Sequence, residues 1–174
     1  MRKAGERDRG FCEGVLKQNS VCFCHEGTKA RRNTKKKEEE ESGGYLLIIR
    51  LRRGSRIRVG RLCEIEFRRG WYVYAGSALR GLRARVERHR RQAKRIHWHI
   101  DYLLACPAAQ LVQCLIFPSA NRMECRLNRH VLGLDGAVVA ARGFGSTDCT
   151  EGCPAHLVFF REKPDVSILE MPEG

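Results

Sequence analysis

The sequence predicts an α+β fold, an α/β sandwich with a small, mainly antiparallel sheet flanked by helices. Two observations lead there. Short apolar stretches rich in β-branched and aromatic residues alternate with two stretches of helical periodicity, in the order strands, helix, strand, helix, loop, strand. Few of the intervening segments are long enough for the crossovers that parallel strands need.

The ordered domain is expected over residues 43–165, between a charged, disordered tail at 1–42 and a short C-terminal tail at 166–174. GGYLLIIRL from Gly43 reads as a buried strand. RRGSRIRVG turns at Gly54-Ser55 into a second strand, and Leu62 to Phe67 alternates as a third. Arg68-Arg69-Gly70 is a turn, and WYVYAG is a strand of aromatic and β-branched residues. Ser77 is the expected cap of the helix GLRARVERHRRQAKR, whose apolar stripe is Leu79, Leu82 and Val86. HWHIDYLLAC is a short helix or an extended entry to the core. QLVQCLIF reads as a buried strand stopped by Pro118, and Asn121 as the cap of RMECRLNRHVLGL, with Met123, Leu127 and Val131 inward and Gly133 at its end. ARGFGSTDCTEGCP is a glycine-rich loop, and AHLVFF is the last strand.

The chain has 174 residues and a formal net charge of +13. Residues 50–95 hold 16 Lys+Arg against Glu64, Glu66 and Glu87, so this region alone carries the whole excess. Such concentration makes a positive field whose natural partner is a polyanion. Arg80, Arg83, Arg88, Arg90, Arg91, Lys94 and Arg95 are the expected nucleic-acid contacts, and DNA is the expected partner, with RNA not excluded. The longest aliphatic run, Leu46-Leu47-Ile48-Ile49, is far shorter than the roughly 20 residues of a spanning helix, so no membrane partner is expected. MRKAGERDRG has no apolar core behind its charges, so the protein is expected to be intracellular and cytoplasmic, not secreted. Nine cysteines, an odd number scattered partly in apolar runs, argue against a disulfide framework. Cys63, Cys106, Cys114 and Cys125 read as buried free thiols. Cys22-Phe23-Cys24-His25 begins a metal-type pattern but lacks a full ligand set.

Gly43-Gly44-Tyr45 on the first strand and Tyr74-Ala75-Gly76 on a later one resemble the two motifs of the GIY-YIG nucleases. Leu82, Arg85 and His89 on the next helix are similar to that family's Leu-x-x-Arg helix, and Glu124 fits its later helical Glu. YVYAGSA, HWHIDYLL, Glu124-Cys125 and GFGSTDC followed by Cys153 and His156 look most like the Uri branch, a domain of unknown function. The resemblance spans residues 43 to about 161, with Gly44 and Ala75 where Ile is usual and a longer gap between the motifs.

The resemblance implies a metal-dependent endonuclease acting on DNA without strong sequence specificity, related to repair, with a protein partner supplying the targeting. Mg²⁺ or Mn²⁺ is the implied cofactor, with Glu124 its carboxylate ligand. Arg85 would clamp phosphate oxygens, Tyr45 would accept a proton from water with its pKa lowered by metal or guanidinium, Tyr74 would orient, and His89 would relay a proton or hold phosphate. His97, His99 and Asp101 form a second cluster, facing phosphate or metal if extended, or buttressing the site as a polar network. Asp148, Cys149, Cys153 and His156 form a third. It is read first as a loop beside the active site, with Asp148 positioning metal or water; the alternative is a structural Zn²⁺ with Asp148 or a distant cysteine as fourth ligand. The alternative function is a non-catalytic basic nucleic-acid-binding module.

Overall fold

The computed structural model describes residues 41–169. Residues 1–40, with Cys22-Phe23-Cys24-His25, and residues 170–174 lie outside the described residues. In chain order the elements are β1 (Gly43–Leu51), β2 (Ser55–Arg58), β3 (Glu64–Phe67), β4 (Gly70–Ala78), α1 (Leu82–Arg90), α2 (His99–Leu104), β5 (Ala109–Pro118), α3 (Glu124–Leu132), β6 (Val138–Val139), β7 (Leu157–Phe160) and α4 (Val166–Leu169). Five strands form one sheet in the order β5-β1-β4-β7-β6, every pair antiparallel, and β2-β3 is a separate hairpin. The expected α+β class is therefore observed.

Strand alternation sets three layers. Tyr45, Leu47, Ile49 and Leu51 point from β1 to one face, where they meet Tyr72 and Tyr74 of β4 and the inner residues of α1 and α2. Leu46 and Ile48 point to the other face, against Val73, Ala75, Leu127 and Val131. With helices on both faces, β1 is buried almost throughout and reads as a continuous apolar run. Each fully buried Leu or Ile contributes about 2 kcal/mol relative to exposure.

Several local expectations change in the tertiary context. β5 is an edge strand, not a buried one: it pairs only with β1, most of its residues are partly exposed, and Val112 is open to solvent. α1 stops at Arg90 rather than Arg95, because Arg91 turns extended and Lys94 folds back to donate to the His89 carbonyl at 2.8 Å. Leu79 precedes the helix and is exposed, so the buried face of α1 is Leu82, Val86 and His89. Asn121 does not cap α3; that role falls to Ser77, as described below. Cys63 is exposed, Cys106 and Cys114 are partly buried, and Cys125 is buried as expected. The ordered unit also runs past 165, since Leu169 of α4 is fully buried among the residues under α3.

Candidate active site

The site lies at the end of β1 and β4 where both strands approach α3. Gly44 makes the approach feasible: a Cβ there would lie 2.6 Å from Leu127 Cδ1 and 2.7 Å from Met123 Cβ. Any larger side chain at this position would push α3 away. Gly76 does the same for the opposite face, where Tyr45 lies over it; a Cβ would come within 2.5 Å of the Tyr45 hydroxyl. Ser77, next along β4, accepts from the backbone N–H groups of Met123 at 2.8 Å and Glu124 at 2.9 Å. A serine on a strand thus satisfies two of the orphan donors at the start of α3 and ties that helix to β4. α1, which Ser77 was expected to cap, starts instead from Gly81 in the left-handed region and has no side-chain cap.

Tyr45, Tyr74, Arg85 and Glu124 line one cavity of about 150 Å³, shared with Trp98 and Asp148. The four residues are far apart in sequence and come from β1, β4, α1 and α3. Arg85 is held on two sides. It donates to the Ser77 carbonyl at 2.9 Å, and its guanidinium lies 4.9 Å from the centre of the Trp98 ring. Glu124 has one oxygen 3.5 Å from Arg122, while Oε2 is buried with no hydrogen-bond partner among the described residues. A buried, unpartnered carboxylate oxygen is costly and suits a cation. Arg80 and Arg122 line a hollow that adjoins the cavity and shares Arg85 with it. A second cavity, about 670 Å³, lies elsewhere beside β5, and among the described residues no carboxylate or tyrosine lines it.

His89 is not in the cavity. It is 2 % exposed and sits behind Tyr45, whose hydroxyl is 3.0 Å from Nε2. It therefore cannot hold phosphate, one of its two expected roles. Burial pushes its pKa down to about 4, and the nearby Asp101 carboxylate only partly opposes this. His89 is thus neutral near pH 7, and with its one ring proton on Nδ1 the Tyr45 O–H donates to Nε2. The other ring nitrogen, Nδ1, lies 3.6 Å from Asp101 Oδ1, too long for a hydrogen bond, and the negative charge of that carboxylate favours the ring proton on Nδ1. Burial and the neighbouring Tyr74 raise the Tyr45 hydroxyl well above its ordinary value, more than Arg85 lowers it. Burial raises Tyr74 as well. Both phenols remain protonated, so the expected lowering of the tyrosine pKa by a guanidinium is outweighed.

The second cluster divides. Asp101, fully buried in α2, accepts from both Nη atoms of Arg88 at 3.1 Å and from the backbone N–H groups of His97 at 2.9 Å and Trp98 at 3.1 Å. Burial alone would raise its pKa; these donors outweigh it and hold the carboxyl below its usual range. His99 accepts from the Gly145 N–H at 3.0 Å, and His97 is exposed with its ring against Trp98. The three residues share no face, and the cluster buttresses the site rather than lining it. Two of the expected phosphate contacts belong to this buttress. Arg88 is spent on Asp101, and the Lys94 ammonium is buried 3.8 Å from the same carboxylate. Arg83 pairs with Glu41 at 2.7 Å and Arg90 with Glu87 at 3.4 Å, both on the surface. Arg80, Arg91 and Arg95 are exposed.

The third cluster comes together with a partner from α3. Cys125, Cys149, Cys153 and His156 bring their ligand atoms within 4.8 Å of one another. The donor set, three thiols and an imidazole, can hold a soft or borderline metal such as zinc, rather than Mg²⁺. Sequence reading missed Arg122, and it cast Ser77 and Cys125 in other roles. No local pattern marks any of them; only long-range pairing brings them to the site.

A family model described as "Domain of unknown function DUF123" matches residues 44–171. The chain belongs to that family. The matched range starts at Gly44 of β1 and takes in α4, so the DUF123 domain coincides with the folded unit rather than ending at 165. No curated protein and no solved structure matches the chain. Among the described residues of this DUF123 domain, no helix is long and apolar enough to cross a membrane.

Proposed function

We propose that this DUF123 protein is an endonuclease of the GIY-YIG type that hydrolyses phosphodiester bonds in DNA, with Mg²⁺ or Mn²⁺ as cofactor. The observation that carries the reading is the convergence of Tyr45, Tyr74, Arg85 and Glu124 on one polar cavity, with the neutral His89 bonded behind Tyr45. Glu124 Oε2, buried and unpartnered, fits a divalent cation, and Glu124 would hold it. When bound, such a cation supplies Lewis-acid polarisation of the phosphoryl group.

The protein's own residues supply the rest. Tyr45 takes a proton from the attacking water as its own passes to His89 Nε2, so no free phenolate is needed. Asp101 steadies the imidazolium that forms. Arg85, fixed between Ser77 and Trp98, binds the non-bridging oxygens as charge builds on them. Tyr74, still protonated, donates a hydrogen bond from the cavity wall. Arg80 and Arg122 extend the positive surface along which a nucleic-acid backbone would lie. The repair-related role and a partner for targeting are part of the proposal.

The test is nicking of supercoiled plasmid by the purified full chain with Mg²⁺ or Mn²⁺, beside EDTA, Arg85→Ala and Glu124→Ala. Metal-dependent nicking lost in both variants is expected. Salt-sensitive DNA binding with no cleavage of plasmid, flap, branched or RNA substrates would overturn it in favour of a non-catalytic binding module.

A further inference from the structure

Two segments that are remote in sequence meet at a point beside the cavity. Cys125 lies in the first turn of α3, Cys149 and Cys153 lie in the loop after β6, and His156 immediately precedes β7. Cys125 Sγ is 3.5 Å from Cys149 Sγ and 3.7 Å from His156 Nε2. Around a tetrahedral zinc with Zn–S near 2.3 Å, neighbouring donor atoms lie about 3.5–3.8 Å apart. These separations suit ligands of a common ion. A disulfide would use two sulfurs and leave the third thiol and the imidazole unexplained, and all three cysteines are free. Cys125 and His156 are buried, as in a closed structural site, and the spacing from Cys149 to His156 is C-x₃-C-x₂-H.

The position of the cluster gives it a consequence. Each of the two carboxylates lining the cavity directly precedes a ligand, Glu124 before Cys125 and Asp148 before Cys149. His156 also lines the cavity, and its carbonyl accepts from the Ala75 N–H at 3.0 Å, between Tyr74 and Gly76. Its own N–H donates to the Phe144 carbonyl at 2.8 Å. One ion at this point would join α3, the 140–156 loop and β4.

We propose that Cys125, Cys149, Cys153 and His156 bind one Zn²⁺ that staples the start of α3 to the 140–156 loop and thereby fixes Glu124 and Asp148. Cys125 is the fourth ligand in this assignment, which replaces Asp148 as a candidate and reverses the preference for a metal-free loop. The staple concerns the fold around the cavity and does not depend on the nuclease reading.

The full chain, purified under reducing conditions, should contain one equivalent of zinc per molecule. Replacement by Co²⁺ should give the intense visible absorption of a tetrahedral thiolate site, a readout that needs no variant. Cys125→Ser and Cys153→Ser should lose the ion, whereas Cys63→Ser, Cys114→Ser and the Cys22→Ser/Cys24→Ser pair should retain it. Removing zinc should speed amide exchange in residues 140–156 and the first turn of α3, and restoring zinc should reverse this. No zinc and no tetrahedral Co²⁺ spectrum after reconstitution would overturn the proposal. So would zinc that persists in both ligand variants, or exchange rates that ignore the metal.

Discussion

Acidification should single out His89. Its folded pKa is about 4 against an ordinary 6.5, so between those values the unfolded chain binds a proton that the folded chain refuses. Stability from this residue is therefore intact above pH 6.5 and falls as the pH drops toward 4. The full difference corresponds to about 3 kcal/mol, of which about 2.5 kcal/mol is lost by about pH 4.5. His99 is also lowered, chiefly by burial, and weakens the fold over an overlapping range. The assay must isolate His89. Denaturant unfolding of wild type and His89→Gln at about pH 7 and about pH 4.5 does so, because the variant lacks the one proton but keeps an acceptor for Tyr45. The wild type should lose about 2.5 kcal/mol more than the variant between the two conditions. An NMR titration of the His89 ring should independently place its midpoint well below 6. Equal losses in the two proteins, or a midpoint near 6.5, would refute both the burial argument and the neutral acceptor on which the Tyr45 relay rests.

Arg88→Ala should destabilise the domain by about 3 kcal/mol, because it leaves the fully buried Asp101 with only two backbone donors and a distant Lys94. A loss below about 1 kcal/mol in thermal or denaturant unfolding would return Arg88 to the exposed phosphate-binding set. Gly76→Ala should displace Tyr45 and so cost about 1–3 kcal/mol in stability, with nicking reduced about a hundredfold where the nuclease reading holds. A variant with wild-type stability and an unchanged Tyr45 environment would contradict the close packing of that ring over β4.

The sequence by itself determined the α+β class and most of the elements, because period-two and helical periodicity are local properties of the chain. β1, β4, α3 and β7 arose where their patterns predicted them. Tyr45, Tyr74, Arg85 and Glu124 stood out through a family resemblance rather than through periodicity, and the fold brings them to one cavity. What the sequence could not settle depended on distant partners. Ser77 reads as the cap of the helix just after it, yet the antiparallel pairing of β1 and β4 carries it to α3, 46 residues away. Arg88 and Lys94 look like their basic neighbours until α2 presents a buried Asp101 to them. QLVQCLIF is apolar enough for a central strand, and only the strand order puts it at an edge. Cys125 became a ligand candidate because α3 packs within reach of a loop that follows it by more than 20 residues. In each case the chemistry of the side chain was visible in the sequence. Its partner, and hence its charge state, burial and role, was decided by contacts that only the folded sheet creates.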